Sequence, residues 1–373
     1  MKELHLKNAG CQHIRIQPSL RFEEVTGALL LTPYVLAAVI LYPHSDRGAL
    51  TIASLATCFP LALATYVSIP RLVVALRKKD LCNINLNAEV DAQRVAEPGS
   101  LWACALYLLY LIGLSVVCTR GSQTTLFNTI IVNMAVMTLM GLMDDMVPLG
   151  YPAKILAPVL AAIPLYVTLH GTARPSVPLL SLIGLRDAYG LGYLGHFLAV
   201  LLTVFFVNSI NIHAGINGLE LGESAVIAVS LLAHNCIEIA KTAAISDSST
   251  ATELIEKHLL SVQLTLPFLS ISAGLLCYNW YPATTFVGNM YTSLSGALFA
   301  ATSILCDSSL MMLMLFVPQM VNFVVSIPQL IGIIHCPRFR APRFNPKTGL
   351  LEHTKNYTLL NAALWEVKLY AVQ

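Results

Sequence analysis

Charge is what this sequence has least of. Asp, Glu, Lys and Arg make up 11% of its 373 residues, against 56% hydrophobic residues and a mean hydropathy of +0.69. A soluble domain carries about a quarter charged residues, so the composition excludes a water-soluble globular protein and implies an integral membrane protein. The formal net charge is only +2, which removes the global electrostatic basis for nucleic-acid binding. The nine cysteines contain no CxxC pair. Scattered thiols fit reduced or lipid-buried side chains, not a disulfide framework or a zinc site. Low-complexity tracts are absent, and no internal repeat stands out. The N-terminal MKELHLKNAGCQHIRIQPSL lacks the basic-then-apolar order of a cleaved signal.

What the chain has instead is long apolar runs. They are helix-length, not short and alternating, which favours a helical bundle over a barrel. Ten spans are expected, near 25–43, 49–75, 100–118, 124–143, 153–170, 190–213, 223–241, 258–279, 286–305 and 308–333. The segment 356–373 is too broken by charge to span. The expected fold is therefore an all-α polytopic transmembrane bundle of about ten spans. Residues 1–24 form a cytoplasmic N-terminal segment, 25–334 the bundle, and 335–373 a cytoplasmic Arg-rich loop and tail.

Basic residues set the orientation. With 1–24 in the cytoplasm and alternating spans, the cytoplasmic segments hold 16 of the 22 Lys and Arg, leaving Arg47, Arg120, Arg174, Arg186, Lys241 and Lys257 opposite. That bias is the positive-inside pattern. The same alternation brings GLMDDMVPLGYPAK (141–154), NSINIHAGINGLE (208–220), NWYPATTFVGNM (279–290), HCPRFRAPRFNPKTG (335–349) and the 76–99 loop with Glu97 to one membrane face. Polar groups from several helix ends around one pocket are how a site is built in a helical bundle.

Each cluster has a chemistry and a plainer alternative. Asp144 and Asp145 close an apolar span, where they could hold a divalent cation or Lys154, or be an interfacial charge pair. Asn208 and Asn211 are three apart and share a helical face; amides facing lipid are costly, so both point into the bundle. Gly215 and Gly218 break the helix and let backbone approach a ligand, with Asn217 and Glu220 in the broken region. Amide oxygens are hard ligands suited to Mg²⁺, and amides read base edges; interhelical amide contacts are the alternative. His213 fits a structural hydrogen bonder better than a ligand. Arg338, Arg340 and Arg343 are interleaved with prolines, and guanidinium forks match phosphate oxygens. An anchor to anionic lipid is the competing account. Phe286 could stack on a base or be an interfacial aromatic. Mg²⁺, phosphates and a planar base at a membrane surface point to transfer from a nucleotide sugar to a lipid.

At NSINIHAGINGLE, NWYP…FVG and SIPQLIGIIHCPRFRAPRFNPKTG the chain resembles the eukaryotic UDP-N-acetylglucosamine–dolichyl-phosphate N-acetylglucosamine-1-phosphotransferases, of the polyprenyl-phosphate N-acetylhexosamine-1-phosphate transferase superfamily (glycosyltransferase family 4 type). The resemblance runs from 68–87 to 344–349, roughly three quarters of the chain, and GLMDDMVPLGYPAK matches the family's acidic pair followed by lysine. It implies a multi-pass enzyme of the endoplasmic reticulum membrane with its active site facing the cytosol. Its substrates would be UDP-GlcNAc and dolichyl phosphate, its ion Mg²⁺ with Mn²⁺ as an alternative, and a homodimer stays open. Carried over by position, Asp144, Asp145 and Lys154 are catalytic, and Asn211 and Asn289 are metal ligands. Leu86, Glu97, Asn208, Gly215, Asn217, Phe286, Arg338 and Arg340 bind substrate.

The chain departs from that pattern. Asn289 stands where the family has the aspartate of FVGD, removing a negative charge from the expected metal site. Phe339 takes a family histidine position, the Glu97 loop reads AEPGS, and the family's final span is missing. Asn356-Tyr-Thr is a formal glycosylation sequon, which the orientation puts in the cytosol. An active transferase, one using another polyprenyl phosphate or amino sugar, and a silent paralogue binding nucleotide sugar or a partner are the competing expectations. A transporter would place polar groups deep in the spans.

Overall fold

The computed structural model describes residues 16–31, 56–88, 93–118, 122–169, 192–245, 249–337 and 340–366. Helices dominate: α1 (Phe22–Thr26, continued as one π-helical turn Gly27–Leu31), α2 (Cys58–Lys78), α3 (Leu101–Cys118), α4 (Ser122–Met146), α5 (Tyr151–Leu169), α6 (Gly192–His213), α7 (Leu219–Ile245), α8 (Ser249–Asn279), α9 (Asn289–Leu305), α10 (Ser309–Leu315), α11 (Val317–Leu330) and α12 (Leu359–Glu366). Two short antiparallel ribbons, β1 (Cys82–Ile84) with β2 (Arg94–Ala96) and β3 (Arg343–Asn345) with β4 (Leu350–Glu352), qualify the all-α expectation. Both ribbons lie in loops beside the polar ends of the helices.

Among the described residues, five helices are long and apolar enough to cross a membrane, or six if α10 and α11 count as one bent span; α3 and α6 contribute shorter apolar stretches. The expected first span falls mostly outside the described residues, its start forming α1 and the π turn. The single span expected at 308–333 is instead two helices meeting at 68°. Pro318, in the first turn of α11, explains the break. Its ring has no N–H to donate backwards and crowds the preceding turn, which favours a helix starting there, although Pro70, Pro158, Pro164, Pro267 and Pro328 are carried inside helices.

The helices bury a continuous core including Tyr107, Phe127, Phe206, Phe268, Tyr291, Phe299 and Phe316. α9 is enclosed by the others, every residue from Met290 to Leu305 except the half-buried Ser293 being buried. A helix buried on nearly every side sits inside the bundle, and its Thr292, Ser295, Thr302 and Ser303 are buried with it. Its approach to α4 requires glycine at 141, where a Cβ would overlap the backbone of Asn289 and Met290. Several core hydroxyls are satisfied within their own helices: Thr265 donates to Ser261 O (2.7 Å), Ser270 to Leu266 O (3.0 Å) and Thr302 to Leu298 O (2.8 Å). Backbone carbonyls one turn back thus remove the cost of burying these groups. Cys82 is disulfide-bonded, contrary to the expectation of reduced or lipid-buried thiols throughout, whereas Cys58, Cys104, Cys236, Cys277, Cys306 and Cys336 are free.

Candidate active site

A cavity of about 1300 Å³ opens where α4, α5, α6, α7, α9 and α11 end and the two ribbons begin. It collects Leu86, Glu97, Asp144, Asp145, Lys154, Asn208, Asn211, Gly215, Asn217, Phe286, Asn289 and Arg340. Twelve of the thirteen site residues expected from the sequence thus share one space, and Arg338 lies outside the described residues.

The two adjacent aspartates do different jobs. Asp144 Oδ2 is 2.6 Å from Lys154 Nζ, and its Oδ1 accepts the Leu149 N–H at 2.8 Å. The loop between α4 and α5 thereby folds back on its own acid and aims the ammonium into the cavity. Asp145 accepts the backbone N–H groups of Asn289 (2.7 Å) and Met290 (3.1 Å). These are orphan donors of the first turn of α9, and a carboxylate there also complements the helix dipole. Gly288 precedes that turn with φ +80°, and a Cβ on it would lie 2.6 Å from Asp145 Oδ2.

The amides form a second layer. Asn208 donates to Lys154 O (3.2 Å) and Val204 O (2.9 Å), tying α6 to α5. Asn211 Nδ2 donates to Asn289 Oδ1 at 2.6 Å, joining α6 to α9. After α6 ends at His213, residues 214–218 leave the helix, and α7 begins at Leu219. Glu220 therefore sits in the first turn of α7, not in the broken region, because Gly218 with φ +86° already ends the turn. His213 is turned away from the cavity to Glu223 (2.7 Å), which also accepts from Gln319 (3.0 Å), a structural link between α6, α7 and α11.

Several lining residues were not singled out in the sequence. Asn83 donates to Glu97 Oε2 (2.8 Å), orienting that carboxylate. Asn87 accepts the Asn217 N–H (3.2 Å) and donates to Pro342 O (3.2 Å), and Asn279 accepts the Gly218 N–H (3.1 Å). Asn83, Asn85 and Asn87 all line the cavity, and their period of two in CNINLN is the signal that could have found them. Two donors stay unpartnered at this buried site, Asn217 Nδ2 and Arg340 Nη1. A buried donor without an acceptor costs about 1–3 kcal/mol, so both are poised for acceptor oxygens of a ligand. The opposite flank is apolar, with Ile155, Leu201, Val204, Phe205, Phe323 and Ile327.

The donor set allows a hard cation only in company. No group of three or more His, Cys, Asp or Glu side chains that could hold a metal occurs among the described residues. Asp144 is engaged by Lys154, Asp145 by α9 and Glu97 by Asn83, and the expected ligands Asn211 and Asn289 offer only neutral amide oxygens, that of Asn289 already accepting from Asn211 Nδ2. Mg²⁺ prefers oxygen ligands and commonly completes its shell with substrate phosphates and water, so this pair fits the ion when a phosphate ligand supplies the charge.

Comparison with known proteins bears on what such a cavity serves. The model of glycosyl transferase family 4 matches residues 127–307. A protein of Dictyostelium discoideum, a UDP-N-acetylglucosamine–dolichyl-phosphate N-acetylglucosaminephosphotransferase, is 36% identical over 357 residues, 91% of this chain and 87% of that protein. The chain belongs to this phosphotransferase family. Proteins with the same description from Schizosaccharomyces pombe and Saccharomyces cerevisiae are each 37% identical, over 60% and 57% of this chain and 50% and 47% of their own lengths. The family-4 match covers both aspartates, Lys154 and the amides of α6 and α9, while Leu86, Glu97 and Arg340 lie beyond it.

Proposed function

We propose that the chain transfers GlcNAc 1-phosphate from UDP-GlcNAc to dolichyl phosphate, giving GlcNAc-diphospho-dolichol and UMP, the first step of lipid-linked oligosaccharide synthesis for N-glycosylation. The observation that carries this reading is the union, in one cavity, of two cations (Lys154 and Arg340), unpartnered buried donors on Asn217 and on Arg340 itself, and an apolar flank. A dianionic nucleotide and a lipid phosphate need those three features together. The proposed setting is a ten-span bundle in the endoplasmic reticulum membrane with the cavity facing the cytosol, where nucleotide sugar is supplied.

Arg340 and Lys154 bind the diphosphate, Asp144 holding Lys154 in place. Asn217 Nδ2 donates to a uracil carbonyl, the Gly215 backbone lies beside the ring, and Phe286 stacks on it. The Leu86 backbone and Glu97 face the nucleoside, and Asn208 supports the Lys154 backbone. Arg338 sits beside the sugar by its position in the loop. The dolichyl chain lies along the apolar flank, with its phosphate oxygen in line with the β-phosphorus. A phosphate monoester is already anionic near pH 7, so positioning and charge neutralisation carry most of the acceleration. Asn211 and Asn289 would hold Mg²⁺ together with the diphosphate, and the bound ion would neutralise charge on the phosphate oxygens.

The Asn211–Asn289 hydrogen bond favours a second reading, a silent paralogue that binds nucleotide sugar through a neutral site. Purified chain given UDP-GlcNAc and dolichyl phosphate across a Mg²⁺ and Mn²⁺ series separates the two. Release of UMP with labelled lipid supports the transferase. UDP-GlcNAc binding without UMP under every metal condition supports the silent paralogue.

A further inference from the structure

The C-terminal segment beyond β4 is strapped across the cavity mouth by side-chain amides, each of which uses both of its ends. Asn361, 3% exposed, donates from Nδ2 to Arg340 O (2.7 Å) and Thr358 Oγ1 (2.7 Å), and its Oδ1 accepts the Thr354 N–H (2.7 Å). The Thr354 hydroxyl reaches Ala341 O at 3.2 Å. Asn322 in α11 donates to Ile212 O (3.0 Å) and accepts the Leu359 N–H (2.9 Å), so the start of α12 is tied to the end of α6, one residue from Asn211. Leu360 packs against Gly215, and Thr358 lines the cavity itself.

Arg340 sits in a short stretch before β3 with no helical or strand bonds of its own. Its carbonyl is fixed from α12, and the following links are the Thr354 hydroxyl to Ala341 O (3.2 Å), Asn87 Nδ2 to Pro342 O (3.2 Å) and the Phe344 N–H donated to Leu86 O (2.9 Å). A guanidinium that must meet phosphate oxygens needs its backbone held. We infer that Asn361 is a positioning residue that sets Arg340, so that α12 is a working part of the diphosphate site. This rests on the reading that Arg340 faces a nucleoside diphosphate.

The full-length chain carrying Asn361→Asp tests it, because the acid keeps an acceptor for Thr354 and loses both donated bonds. Hydrogen exchange across 340–345 in the ligand-free variant rises about tenfold, the loss of roughly one buried hydrogen bond, while exchange in α9 is unchanged. UDP-GlcNAc affinity falls by about tenfold and uridine affinity stays within about twofold. In an Arg340→Ala background the same change costs less than about threefold, because the residue acts through the arginine. Thr354→Val, a milder change, shifts exchange in the same direction and covers the case in which the acid does not fold. Unchanged exchange at 340–345 in a folded variant, or affinity losses that multiply in the double variant, overturns the assignment. Faster exchange with no UDP-GlcNAc binding by the parent chain upholds the positioning and removes the nucleotide-sugar reading instead.

Discussion

Buried polarity in this bundle is satisfied in two ways, by bonds within one helix and by bonds between distant segments. Within the spans, hydroxyls of Thr265, Ser270 and Thr302 bond the carbonyl one turn back in the same helix. At the cavity end, amides bond across the chain: Asn211 to Asn289, Asn87 to residues 217 and 342, Asn322 to residues 212 and 359. The local bonds cancel a burial cost and specify nothing about neighbouring helices. The long-range bonds lock distant segments into one wall, and that wall still leaves Asn217 Nδ2 and Arg340 Nη1 without partners. Polarity at the cavity end therefore costs stability that a bound ligand recovers, in keeping with a site whose function is binding and transfer.

Breaking the contrast at its strongest point means Arg340→Ala. Its kcat/KM for GlcNAc-phosphate transfer should fall by about 10³-fold, the scale of losing a preorganised group that stabilises transition-state charge. Activity near the parent level would remove Arg340 from the diphosphate. Asn289→Asp sharpens the contrast by restoring a negative charge beside Asn211. The Mg²⁺ concentration for half-maximal activity should drop by about tenfold, since carboxylates are the ion's usual protein ligands; an unmoved titration curve would show that position 289 does not contact metal. Asn217→Ala should weaken UDP binding by about tenfold, the worth of one hydrogen bond, with little change in kcat; unaltered binding excludes a base contact. Thr302→Val, on the locally satisfied side, should alter kcat/KM by less than about twofold, because the Leu298 carbonyl keeps its helical bond. A large loss there would erase the distinction between local and long-range bonds.

Much of the site was legible because it obeys short-range rules. The three-residue spacing of Asn208 and Asn211 put both on one helical face, and both line the cavity. Gly215 and Gly218 announced the break between α6 and α7. Asp144 and Lys154, separated by a loop with Pro148 and Gly150, meet at 2.6 Å. The apolar runs marked the main helices, but Pro318 was passed over inside one such run, which merged α10 and α11 into a single span. The strap of α12 escaped notice for a different reason. Its bonds join residues 21 and 37 apart through single amides, and no periodicity encodes such a link. Asn356, a formal glycosylation acceptor, accepts from Gln329 Nε2 at 3.0 Å and donates to Thr354 at 2.8 Å, serving the same strap.

Which phosphorus moves is the most direct test of the whole account. UDP-GlcNAc labelled with ³²P at the β-position, incubated with the purified chain, dolichyl phosphate and Mg²⁺, should give label in the lipid and unlabelled UMP. Label recovered as UDP, with sugar alone on the lipid, or label remaining wholly in UDP-GlcNAc, would contradict it.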